Sequence, residues 1–372
     1  MDFSLTEDQE MFRTQIKRIL EKYEYTKITR DAMKGNTLSL QTFMETIGEM
    51  GVQAIPVPEK YDGLGLGALD LVPTYEEMGK SLVPGTLMET LSIVVPLLKK
   101  YGTDEQKEKY LPQIASGETV FSIAAIESNR DFSELGIQLP LVEIDGKLIL
   151  NGVKTAVPLG KEVNALLVIA RAKEGVTLIV IENMDEIHID ELDSFEEAEQ
   201  LAEVSFHQVE IFPSQILGEK GNGWKQLEEG LLYFNAALSA YLVGAMNTVV
   251  NMATEYAKIR EQFGQPIGRF QAVKHSIVDM KVNLDIAKSL SYYANWVVDS
   301  EENDREAAIY NARTYATEKF IQAASNNIQI HGGIGFTEEI DCHLFVKRAR
   351  YYHHYLGSVT YYQEKIADAL GW

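Results

Sequence analysis

Residues 256 to 280 read YAKIREQFGQPIGRFQAVKHSIVDM, and how this stretch is read decides the fold. Ahead of the FGQPIG break, Met246, Val249, Val250 and Ala253 recur at helical intervals; after it Phe270, Val273, Ile277, Met280, Leu284 and Ala287 do the same. The spacing predicts two amphipathic helices joined by a short Gly/Pro interruption. Across that interruption runs the ordered pattern R-x-Q-F-G-x-P-I-x-x-F-Q, with Arg260, Phe263 and Gln271 in fixed order. Taken alone, these side chains are equally compatible with solvated or helix-capping roles.

Working outward, helical periodicity continues at about 304 to 328, 338 to 353 and 359 to 370, enough to complete a bundle of long helices. On the amino side, from about 119 to 222, the pattern changes to short apolar and β-branched runs: TVFSIAAI, LPLVEI, KLILNG, ALLVIARA, VTLIVIE and HQVEIF. These predict a compact β domain. At the start, Thr6 and Gln9 stand at capping-box spacing before Phe12, Ile16, Ile19 and Leu20, and the pattern stays helical to about 118. The chain is therefore expected to be α+β, with a helical domain at 1–118, a β domain at 119–222 and a helical bundle at 223–372. The sequence holds no internal repeat.

Composition narrows the function. Of 372 residues, 45% are hydrophobic, as expected of a folded chain with a sizeable core, and 34 Lys and Arg against 55 Asp and Glu leave a formal charge of −21. Such a surface repels phosphate backbones and anionic lipid, so nucleic acid is not an expected partner. The single cysteine, Cys342, excludes an internal disulfide and a cysteine-based metal cluster, and fits a packing role in a reducing compartment. The first twenty residues carry charges throughout, unlike a signal peptide or a membrane span, and the expected location is cytoplasmic.

Three glycine clusters, DGLGLG at 62–67, GEKGNG at 218–223 and HGGIGF at 331–336, lack the strand, helix and acidic residue of a dinucleotide-binding fingerprint, and read as turns. His353 and His354 have no third ligand at metal-site spacing, and no G-x-S-x-G is present to carry a serine nucleophile.

Several further segments join the pattern at 260–271: LTEDQEMFR, VPEKYDGLGLGALDL followed by YEEMGKSL, LPQIASGE, LNGVKTAVPLG and QIHGGIGFTEE. Together, over nearly the whole chain, they resemble the acyl-CoA dehydrogenase family. The resemblance implies an amino-terminal helical domain, a middle β domain and a carboxyl-terminal four-helix bundle. It also implies FAD bound between the subunits of an oligomer, an acyl-CoA substrate and an electron-transfer flavoprotein as acceptor. Arg260, Phe263 and Gln271 would contact the FAD pyrophosphate and adenosine across a subunit boundary. Gln329, Gly332 and Gly333 would let backbone approach the cofactor, with Ser358 and Thr360 nearby. Tyr355, Leu356 and Gly357 would face the acyl group.

The sequence departs from the family in two places. In the flavin loop, IESNRDFS keeps Glu127 but puts Ile126 where a hydroxyl residue usually stands, leaving Ile126 only a backbone contact; the tryptophan-led segment that covers the flavin in many members is Ala156, Val157 and Pro158. At the reaction turn, the family's Y-E-G-T/S becomes Tyr355, Leu356, Gly357 and Ser358, and the alternative position for the catalytic glutamate holds Phe234, followed by Asn235 in place of an arginine. No catalytic base is therefore assigned. Glu228, Glu229 and His354 remain as relocated candidates. The resemblance then points to a base-less subunit that works beside a base-bearing homologue in a heteromeric dehydrogenase. A self-sufficient dehydrogenase, a flavin monooxygenase or N-hydroxylase, and a non-catalytic structural homologue are the alternatives.

Overall fold

The computed structural model describes residues 5–160 and 162–372. Helices α1 (Glu7–Lys22), α2 (Lys27–Met33), α3 (Leu38–Glu49), α4 (Ala68–Lys80), α5 (Leu87–Glu89), α6 (Val95–Tyr101) and α7 (Asp104–Ala115) come first. Strands β1 (Phe121–Ala124), β2 (Leu141–Ile144), β3 (Lys147–Pro158), β4 (Ala165–Ala172), β5 (Gly175–Ile181), β6 (Ile187–Glu191), β7 (Leu201–Ile211) and β8 (Ile216–Leu217) follow. After them come α8 (Gly223–Ile259), the two-residue strands β9 (Glu261–Gln262) and β10 (Gln265–Pro266), α9 (Gln271–Val297), α10 (Arg305–His331), α11 (Cys342–His354) and α12 (Val359–Ala369). The fold is the expected α+β order of helices, strands and helices.

Local sequence explains the starts of α1 and α7. The Thr6 hydroxyl accepts the Gln9 amide and the Gln9 side chain accepts the Thr6 amide, the reciprocal cap that starts α1; Thr103 and Gln106 repeat it at α7. Between α5 and α6, Thr90–Val94 is a single π-helical turn. There the Thr90 hydroxyl both donates to the Phe121 carbonyl and accepts the Phe121 amide. The strands form two four-stranded sheets, ordered β1-β4-β5-β8 and β2-β3-β7-β6. Leu150, Leu166, Val168, Ile179, Val204 and Phe206, from strands of both sheets, share one buried apolar cluster. Strand β6 falls outside the β-branched runs because four of its five residues are exposed, three of them charged or histidine. α8 is long and apolar enough to cross a membrane by length and composition, yet 78% of its most apolar window is buried inside the protein.

Compactness groups the residues differently from the three sequence segments. One unit contains the residues up to Thr29, Ala68–Val83 and Asn235–Trp372; the other contains Arg30–Gly67 and Pro84–Phe234. Thus α1 and α4 belong with the carboxyl-terminal helices. Arg13 on α1 donates to Glu76 on α4 at 2.5 Å and to Tyr292 on α9 at 3.0 Å, a partly buried link that hydrophobic periodicity does not reveal. In the same unit α10 packs against α9, α11 and α12, so that it forms the axis of the bundle.

Candidate active site and cofactor surface

The turn between α11 and α12 holds Tyr355, Leu356 and Gly357. Leu356 is 1% exposed with φ +49, and Gly357 follows with φ +111. A leucine in the left-handed region is held there by its surroundings, and two anchors are visible. From α12, the Tyr362 hydroxyl donates to the Leu356 carbonyl at 2.5 Å. From α10, Arg313 donates through Nη2 to the carbonyls of Tyr352 at 2.5 Å and Tyr355 at 3.4 Å. Gly357 admits no side chain, because a Cβ would sit 2.8 Å from the Tyr362 ring. Tyr355 is buried, its ring stacked 5.0 Å from Tyr351. The Ser358 hydroxyl caps α12 by accepting the Tyr361 amide at 3.1 Å, and Thr360 is exposed.

Arg313 itself is 1% exposed. Besides the two carbonyls it donates through Nε to Asn235 Oδ1 at 3.1 Å and through Nη1 to the Thr317 hydroxyl. All of these acceptors are neutral, and burial lowers the guanidinium pKa to about 10. The resemblance expects an arginine at position 235; here Asn235 is there and bonds a guanidinium from α10. Phe234, at the alternative base position, is fully buried. Both positions at which the resemblance expects a glutamate are thus buried and apolar.

The relocated candidates are Glu228, Glu229 and His354. The Glu229 carboxylate pairs with Lys100 at 2.9 Å, and Glu228 is half-buried. His354 is exposed, its Nε2 3.3 Å from Nδ1 of His353. Burial, then His354, Arg313 and Arg350, hold the His353 imidazole below its ordinary pKa. Cys342 is buried, accepts the Asn327 side-chain amide at 3.2 Å and has its thiol pushed up to about 12, consistent with packing. Among the described residues no group of three or more potential ligands could hold a metal ion.

Arg260, Phe263, Gln271, Gln329, Gly332 and Gly333 lie at one end of the same helical unit, while Ser358 and Thr360 lie at the turn just described and Ile126 in the other unit. Strands β9 and β10 form a two-residue ribbon whose turn residues, Phe263 and Gly264, have φ +54 and +78. An aromatic residue rarely adopts this conformation, and Phe263 is 92% exposed. Tyr256, one turn before Arg260 on α8, stacks on His331 at 4.2 Å, just before Gly332 on α10. That contact brings the Arg260 end of α8 beside the Gly332–Gly333 turn. Arg260, Gln271, Gln329 and Gly333 are exposed, and Gly332 has φ +65. A Cβ at Gly332 or Gly333 would meet nothing within 4 Å, so backbone lies open there. Next to Gln271 and Gln329, a cleft of about 260 Å³ runs between α9 and α10, lined among others by Ala272, His275, Lys319 and Asn326. A cation, two amide side chains and open glycine backbone fit a diphosphate.

In the strand-bearing unit the flavin loop is held as a structural element. Glu127 Oε1 accepts the amides of Gln138 at 2.9 Å and Leu139 at 3.0 Å and the Lys154 ammonium at 2.7 Å. Lys154 Nζ also donates to the Ala125 carbonyl at 2.9 Å. Burial outweighs Glu127 and lowers the Lys154 pKa to about 8. The Ile126 carbonyl accepts the Thr155 amide at 2.8 Å. Ala156 sits with φ +52 at the register shift between Lys154 and Val157, where β3 bulges. The sequence reading missed Lys154 and Arg313. For Arg313 a signal existed: a charged residue within the buried stripe Ile309, Ala312, Ala316 and Phe320.

The order of helices, strands and helices, with an exposed surface of cation, amide and glycine backbone and a separate locked turn, is that of an acyl-CoA dehydrogenase-like flavoenzyme fold. The chain belongs to the acyl-CoA dehydrogenase family: residues 6–118 match the family's N-terminal domain and residues 221–371 its C-terminal domain. It is 29% identical to the mitochondrial isovaleryl-CoA dehydrogenase of Solanum tuberosum, over 82% of this chain and 76% of that protein. Among solved structures, an acyl-CoA dehydrogenase from Geobacillus kaustophilus superposes with a TM-score of 0.89 at 25% identity, over 99% of both chains. The FAD complex of PigA superposes with a TM-score of 0.87 at 26% identity, over 100% of this chain and 99% of the other.

Proposed function

We propose that this chain is an FAD-dependent acyl-CoA dehydrogenase subunit for α,β-dehydrogenation of an acyl-CoA thioester to the trans-2-enoyl-CoA, and that it works as the base-less member of a heteromeric complex. The observation that carries this reading is Leu356: buried, apolar and locked where the reaction needs a carboxylate. The α C–H of a thioester is weakly acidic, so its removal requires a desolvated base and donors to the thioester oxygen. The Leu356 side chain cannot accept a proton, although its backbone amide can donate to the oxygen. FAD, when bound, supplies the acceptor for hydride leaving the β carbon. On this chain Arg260 neutralises pyrophosphate charge, Gln271 and Gln329 offer amide contacts, and Gly332 and Gly333 allow close approach. Phe263 covers the adenosine side, and Ile126 offers only backbone. In this reading Arg260 and Gln271 complete the cofactor site of a homologue that bears its own base, and an electron-transfer flavoprotein takes the electrons onward.

The test is co-expression with a base-bearing homologue, followed by measurement of flavin per chain and of anaerobic bleaching by a panel of acyl-CoAs. Bleaching by the pair but not by this chain alone supports the reading. A fully flavinated homo-oligomer of this chain that bleaches by itself removes the heteromeric part. Oxygen-dependent consumption of reduced flavin without enoyl-CoA favours a monooxygenase, and failure to retain flavin in any assembly favours a structural homologue. Leu356→Glu in the isolated flavinated chain is expected to gain bleaching, at least tenfold over background.

A further inference from the structure

The C-terminal end of α11 is unusual in how its carbonyls are used. Were the helix to continue, the Leu356 amide would donate to the Tyr352 carbonyl four residues back. Instead Arg313 Nη2 takes that carbonyl at 2.5 Å, and the chain turns into the left-handed region at Leu356. The Leu356 amide thus lacks its helical acceptor, Gly357 lies past the point where the chain leaves the helix, and neither amide has an acceptor among the described residues, although both residues are buried. Buried unpaired amides are rare in folded proteins and mark either strain or a donor kept for a ligand.

The surroundings favour a kept donor. The turn is pinned on three sides: by Arg313 through the Tyr352 and Tyr355 carbonyls, by Tyr362 through the Leu356 carbonyl, and by the Gly357 contact with the Tyr362 ring. Arg313 is in turn aimed by Asn235 at 3.1 Å and by Thr317 from its own helix, while its guanidinium carbon lies 5.8 Å from the Tyr362 ring centroid. A planar guanidinium can hold this many acceptors at once where an ammonium could satisfy fewer. The fork lies at the C-terminal end of α11, where the helix dipole favours a cation, which explains why a buried charge without a carboxylate is tolerated.

We propose that Arg313 is a positioning residue that occupies the Tyr352 carbonyl and thereby holds the Leu356 and Gly357 amides free as donors to the carbonyl oxygen of a bound acyl thioester. The inference rests on the functional reading above, with the amide of Leu356 serving as donor whether or not this chain supplies the base. Arg313 touches neither substrate nor cofactor. Its effect is confined to how the thioester oxygen is gripped.

The experiment compares ligands that differ only in that oxygen. Flavin-loaded protein, with its partner if one is needed, is titrated with butyryl-, isovaleryl- and octanoyl-CoA and with the matching S-alkyl-CoA thioethers, which lack the carbonyl. The wild type is expected to prefer thioester over thioether by about tenfold or more, the worth of one to two hydrogen bonds. Arg313→Met should lose most of that preference while thioether affinity changes by less than about threefold, and Arg313→Lys should recover part of it. Asn235→Ala, which removes the Nε anchor, should show a smaller loss in the same direction and covers the case in which Arg313→Met fails to fold. The infrared thioester band of bound ligand should move back toward its free position in step with these losses. An unchanged thioester-to-thioether ratio in folded Arg313→Met or in Asn235→Ala overturns the proposal. If the wild type binds neither ligand in any assembly, the functional reading itself falls, an outcome distinct from loss of preference alone.

Discussion

Lys154 and Glu127 show how a motif residue can survive for structure. Lys154 is fully buried, and the carboxylate it meets holds the two backbone amides that shape the flavin loop. Lys154→Met leaves the partly buried Glu127 without its counter-charge, and we expect a loss of about 2–4 kcal/mol at pH 7 by denaturant unfolding. The pH dependence has a definite sign. Burial lowers the Lys154 pKa to about 8, whereas an ordinary lysine titrates at 10.5, so between these values the unfolded chain carries a proton that the folded chain has released. Below about pH 8 both states are protonated; from there to about 10.5 this residue makes stability rise with pH. The gap between wild type and Lys154→Met should therefore widen over that interval. A gap that narrows would mean the ammonium is held above its usual pKa by Glu127.

At the scale of elements, α4 and α8 cross with their backbones nearly in contact, and glycines make the crossing possible. A Cβ on Gly244 of α8 would lie 1.9 Å from the Glu76 carbonyl oxygen, and a Cβ on Gly79 of α4 would lie 1.9 Å from that of Tyr241. Neither neighbour is a side chain that can swing away. Gly244→Ala must push the helices apart, with an expected loss of about 3 kcal/mol or more despite alanine's better helix propensity; a thermal midpoint equal to or above wild type would refute the crossing. This is also where the limit of the sequence lies. The cap at Thr6, the stripe from Met246 to Ala253 and the β-branched strands are local patterns, and each was legible because one residue's neighbours in sequence are its neighbours in space. The α1–α4–α9 link through Arg13 and the close approach at Gly244 join distant residues, and nothing in either segment alone signals them. The edge strand β6 alternates only briefly, Ile187 and Ile189 around His188, before two acids, which is too short and too polar a run to stand out as a strand.

At the scale of the molecule, the turn at Leu356 drew attention in the sequence because it stands in a motif, while Arg313, which locks it, lies on another helix and carries no motif, and Asn235 stood in a motif that gave no sign of its bond to Arg313. The proposed cofactor surface drew attention for the same reason as the turn, yet its setting is visible only in the whole. A chain of net charge −21 repels a diphosphate at long range, so retention of a dinucleotide must depend on local cations at contact, and Arg260 stands exposed among the residues assigned to that surface. On α9, beyond Gln271, Val278, Val282 and Ile286 are 52%, 50% and 43% exposed at intervals of four, an apolar stripe suited to meeting another subunit. If this surface serves the flavin of a base-bearing homologue, Arg260→Gln in this chain alone, paired with wild-type partner, should leave the assembled mass unchanged in sedimentation. The same variant should weaken flavin retention about ten- to a hundredfold, the loss expected for one charge-assisted contact to phosphate. The lost flavin should belong to the partner's base-bearing site, so acyl-CoA bleaching should fall in proportion to flavin content. Full flavin and full bleaching in the variant pair would show that Arg260 faces solvent for reasons unconnected with the cofactor.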